Sequence, residues 1–84
     1  MFEASRIREI LEAELPECTA VVEDDPGDGE HFSAIVTSSA FVGLNLVKQH
    51  QLVYGALGDL MKKEIHALAL RTLTPEQWAA KSGQ

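Results

Sequence analysis

The sequence is poor in the residues that most directly announce chemistry. Its 84 residues include one cysteine, Cys18, which cannot form an internal disulfide and cannot supply a Cys-x2-Cys metal clip. An isolated Cys of this kind reads as a small buried hydrophobe, with no role as a nucleophile. No His-x3-His pair, phosphate loop, Ser-His-Asp or Cys-His constellation is legible, so the chain is not expected to be an enzyme. No apolar run approaches the roughly 18 residues of a membrane span, and no charged-then-apolar leader precedes the first helix. The reducing cytoplasm is therefore the expected compartment. Basic residues are also scarce: seven Lys and Arg oppose thirteen Asp and Glu, a net charge of −6. That balance has the wrong sign for generic attraction to phosphate, and a nucleic-acid role would need a local basic patch.

What is present suits one small folded domain over residues 1–84, 45% hydrophobic and 24% charged, burying about 60% of the surface its unfolded chain exposes. Ile7, Ile10, Leu11 and Leu15 recur at helical spacing, with Ser5 as the expected N-cap and Pro16 as the stop. "TAVVEDD" and "HFSAIVTS" read as a hairpin whose loop runs from Pro26 to Glu30, with Phe32, Ala34 and Val36 on the core face. The acidic pair Asp24 and Asp25 reads as a solvated hairpin mouth, not as a general acid and base.

From Phe41 to Ile65 the spacing turns helical. Leu46, Val53, Leu57 and Leu60 form a stripe beside Val47, Tyr54 and Met61, and Gly55 and Gly58 predict a bend or break. "HALALRTL" suits a strand covered on both faces, with Leu68 and Leu70 turned inward. Thr74, Pro75 and Gln77 form the pattern of a capping box that starts a last helix, in which Trp78 folds back on the body and residues 81–84 fray. The order is α-β-β-α-α-β-α.

Three histidines carry the chemical promise. His50, four after Leu46 and three before Val53, is expected at the core edge, with Lys48, Gln49 and Gln51 flanking it as a short polar outer face. His31 and His66 each begin a strand. If those strands are neighbours, the two imidazoles can share one metal ion; the alternative is a strand-start His bonded to a carbonyl.

"AFVGLNLVKQHQLVYGAL" followed by "IHALALRTLTPEQW" resembles the BolA-like family over nearly the whole chain, and "GDGEHF" is most similar to its small bacterial acid-response branch. The resemblance implies an α/β (α+β) fold of the class II KH-like type, a three-stranded sheet packed by helices and including a helix-turn-helix. It further implies pairing with a monothiol glutaredoxin and a shared [2Fe-2S] cluster, with His66 in the position of the invariant histidine and His31 as the only candidate beside the hairpin loop. No cluster is expected in the isolated chain, which would be a monomer or weak homodimer. The alternative implied by the family is DNA binding in stress or morphology regulation, through Lys48, His50, Gln51, Lys62 and Lys63. Gln49 and Gln51 stand where many relatives have Arg, which predicts only weak DNA binding.

Overall fold

The computed structural model describes residues 3–24, 27–63, 65 and 67–82. Helix α1 (Ala4–Glu14) leads into strands β1 (Thr19–Glu23) and β2 (His31–Thr37), a 3-10 turn (Ser39–Phe41), helices α2 (Leu46–Leu57) and α3 (Leu60–Lys63), strand β3 (Ala67–Leu73) and helix α4 (Pro75–Ser82). The α-β-β-α-α-β-α order read from the sequence is the observed one.

The sheet order is β1-β2-β3. β1 pairs antiparallel with β2, Val21 opposite Ile35, and β2 pairs in parallel with β3, His31 opposite Ala67 and Thr37 opposite Leu73. A parallel pair needs a long crossover, and the 3-10 turn, α2 and α3 supply it. The core forms where α1 (Ile7, Leu11), Leu15, the inner sheet face (Ala20, Phe32, Ala34, Val36), Phe41, α2 (Val53, Leu57) and Ile65 meet.

Several local expectations are corrected. Ser5 does not cap α1: the helix begins two residues earlier, with Glu3 as N-cap, and the Ser5 hydroxyl donates instead to Glu3 Oε2 at 3.4 Å. Pro16 does end it, and Glu17 follows with a φ of 44°. The Pro16 carbonyl accepts from the buried Ser38 hydroxyl at 2.6 Å, which ties the turn to the end of β2.

The helical segment breaks at Gly58, whose φ of 57° suits a residue without Cβ; Gly55 stays inside α2. Leu46 and Val47 are exposed, at 65% and 66%. Periodicity gives the angular position of a side chain on a helix but not whether anything lies beneath its first turn. β3 is not covered on both faces: Leu68 and Leu70 are only partly buried against the core, and Ala67, Ala69 and Arg71 are exposed.

The capping box of α4 forms as expected. The Thr74 amide donates to Gln77 Oε1 at 2.8 Å and the Gln77 amide to Thr74 Oγ1 at 3.2 Å. The helix continues through Lys81 and Ser82, where fraying was expected; Gly83 and Gln84 lie outside the described residues.

Candidate functional site

The hairpin loop is built by two aspartates. Asp24 accepts from the amides of Gly27 (Oδ1, 3.1 Å) and Gly29 (Oδ2, 2.8 Å), so it organises the loop that the sequence left as a solvated mouth. Asp25 and Pro26 lie outside the described residues. Gly27 and Gly29 both have a φ of 72°, a left-handed conformation that favours glycine.

Asp28 then closes the turn onto β2. Its Oδ1 accepts from the amides of Glu30 (2.9 Å) and His31 (3.1 Å), while its Oδ2 lies 2.8 Å from His31 Nδ1. The Glu30 amide bond, the His31 ring and the His31 amide, in that order, hold the Asp28 carboxyl down at about 2. The sequence reading did not single out Asp28; the signal was a carboxylate three residues before a strand-start histidine.

His31 thus stands exposed at the start of β2 with its ring oriented by a carboxylate, the arrangement by which ligating imidazoles are commonly fixed. The ligand atoms of Asp28, Glu30 and His31 lie within 4.8 Å of one another. His66 lies outside the described residues, so the expected His31–His66 juxtaposition is not described directly. The chain on either side of it is: the Ile65 amide donates to the Leu60 carbonyl at 2.8 Å, and the Ala67 amide to the Glu30 carbonyl at 3.1 Å. His31 pairs with Ala67, the residue after His66.

A [2Fe-2S] cluster takes four ligands besides its bridging sulfides. His31 would fill a single position in such a set, so the remaining ligands would have to come from His66, a partner chain's Cys and a glutathione thiolate. Cys18, partly buried, has its thiol pushed up to about 11, by burial first and the Glu12 charge second.

On the crossover, Lys48, Gln51, Lys62 and Lys63 are exposed, and His50 is half-buried with its ring edge-on to Tyr54 at 6.3 Å. Gln49 is not on the outer face. It is 7% exposed, its Nε2 donates to the carbonyls of Phe41 (3.2 Å) and Leu44 (2.9 Å), and its Oε1 accepts from the Thr72 hydroxyl at 2.6 Å. This amide pins the start of α2 to β3. The helix-turn-helix is also less than the sequence suggests, since its second helix is the single turn Leu60–Lys63.

The profile of the family described as BolA-like protein matches residues 8–77. The chain belongs to the BolA-like family. A BolA homologue from Coxiella burnetii superposes with a TM-score of 0.81 at 39% identity, covering 93% of this chain and 97% of the other. The acid stress protein IbaG of Escherichia coli is 41% identical over 63% of this chain and 64% of its own length. The DNA-binding transcriptional regulator BolA of Haemophilus influenzae is 38% identical over 67% of this chain and 54% of its own. The BolA-like chain described here spans about half the length of several curated relatives that it matches.

Proposed function

We propose that this BolA-like protein is a non-catalytic adaptor that pairs with a monothiol glutaredoxin and contributes histidine ligands to a shared [2Fe-2S] cluster. The supporting observation is the parallel register of β2 and β3, in which His31 is opposite the residue that follows His66. His31 begins β2, and Ala67, the residue that follows His66 in the sequence, begins the adjacent β3, beside a loop whose carboxylate orients the His31 ring. His66 and His31 would hold the cluster on this side; partner thiolates would complete it. Neutral imidazole in place of thiolate raises a cluster's potential and makes its ligand set protonatable near neutral pH, a chemistry suited to transfer or regulation in the cytoplasm.

The test is anaerobic reconstitution of the wild type, His66→Ala and His31→Ala with a monothiol glutaredoxin, glutathione, iron and sulfide, followed by visible circular dichroism. The wild-type pair is expected to give a cluster spectrum distinct from that of glutaredoxin alone. His66→Ala should abolish or destabilise it with unchanged thermal unfolding, and His31→Ala should have a smaller effect. A wild-type spectrum and cluster lifetime in His66→Ala removes that residue from the ligand set.

The second reading is a DNA-binding regulator. It draws on the name of the Haemophilus relative and on the exposed Lys48, Gln51, Lys62 and Lys63. Only three of these are fixed positive charges, and the second helix is one turn long, which is why the adaptor reading ranks first. Retention of DNA by nanomolar protein at moderate salt would reverse that order.

A further inference from the structure

Strand pairing sorts the side chains of the sheet into two faces. Phe32, Ala34 and Val36 enter the core, so their neighbours on β2 lie on the opposite face. There, one row across the sheet is Val21, Ile35 and Arg71; the next, toward the hairpin loop, is Glu23, Ser33 and Ala69. These six residues line a depression of about 260 Å³. Its outer strands are open, Val21 being 44% exposed and Ala69 exposed, while Ile35 and Ser33 at its centre are half-buried.

The two charges stand at opposite edges, Glu23 on β1 and Arg71 on β3. They are two strand spacings apart, about 10 Å, and one row apart, about 7 Å. Both are exposed, and neither has a salt-bridge partner among the described residues.

We infer that this face docks against the same face of a second copy of the chain, forming a weak two-fold dimer. A two-fold axis running along β2 lays Ile35 over Ile35 of the second copy and brings each β3 over the other's β1. Each Arg71 then meets the second copy's Val21 in its own row and Glu23 one row away, so that both ion pairs form at once. A cation on one edge and an anion on the other are self-complementary under this operation, as an isologous interface requires. Packed sheet faces separate by about 10 Å, a gap that Arg and Glu side chains can span together. Three strands of up to seven residues present roughly 300 Å² of sheet plane, well below the roughly 800 Å² per partner of a stable complex. The dimer is therefore transient and populated only at high concentration.

The experiment is sedimentation velocity of the full chain from about 10 µM to about 1 mM. The weight-average mass is expected to rise toward twice the chain mass. Arg71→Glu and Glu23→Arg should each weaken association by about tenfold or more, as like charges are brought together. Mixing the two single variants, or combining both substitutions in one chain, should restore it. Circular dichroism verifies the fold of each variant. Monomeric behaviour of the wild type throughout, charge reversals without effect, or loss of association in Val47→Asp but not in Arg71→Glu would each overturn the assignment. So would displacement of the dimer by millimolar acetate at constant ionic strength, which would identify Arg71 as a carboxylate site instead.

Discussion

Asp28 illustrates how much one exposed carboxylate can organise. Held at about 2 by the Glu30 and His31 amides and the His31 ring, it favours the ordered loop whenever it is ionised. Because its folded value is lowered, this contribution is fully present above about 4, the range of a free Asp, and is lost as pH falls through about 2. Carboxyl carbon resonances followed by NMR should give an Asp28 midpoint near 2; a midpoint near 4 would mean that these bonds do not form in solution. Gln49 is the buried counterpart. Gln49→Leu leaves the Thr72 hydroxyl without its acceptor and should cost at least about 1–3 kcal/mol in urea unfolding. Adding Thr72→Val should recover a large part of that loss, because removing both partners is far cheaper than stranding one. An additive double mutant would show that the two residues do not act as a pair. Neither role was legible beforehand: a Gln in an otherwise apolar helical stripe carries no sequence mark that separates a buried bridge from a surface amide.

At the scale of elements, local chemistry was readable wherever the signal is local. Thr74, Pro75 and Gln77 specify the start of α4 without reference to anything else in the chain, and alternation alone assigned Phe32, Ala34 and Val36 to the core. Coverage was not readable, because it depends on elements distant in sequence. Leu46 and Val47 protrude, and β3 is open on the face that carries Ala69 and Arg71. This separation sets the ranking of core substitutions. Phe41, fully buried at the end of the 3-10 turn, should lose about 3–5 kcal/mol on replacement by Ala. Leu68→Ala, at a half-buried strand position, should lose distinctly less. Equal losses would place Leu68 as deep in the core as Phe41. The candidate site divides in the same way: strand starts placed His31 by pattern, the parallel β2–β3 register needed the structure, and the carboxylate that orients the ring came from the loop.

Over the whole molecule the charge is polarised along the sequence. Residues 1–30 carry a net charge of −8 and the remainder +2, with no Asp or Glu between His31 and Gly58. The crossover is therefore the least repellent surface for a polyanion, but it offers three lysines at most. DNA binding should be weak, with a slope of log K against log salt near −3 by the counterion-release rule. A slope near zero would leave no phosphate contacts to explain. The crossover also has a consequence during biosynthesis. β1 and β2 can join as soon as Thr37 has emerged, but β2 acquires its second neighbour only when Leu73 arrives, roughly 36 residues later. At 5–20 residues per second that is a wait of about 2–7 s, during which an apolar strand shows an unpaired edge to every other nascent chain nearby. The central strand of the finished sheet is thus an edge strand of the unfinished one until β3 emerges.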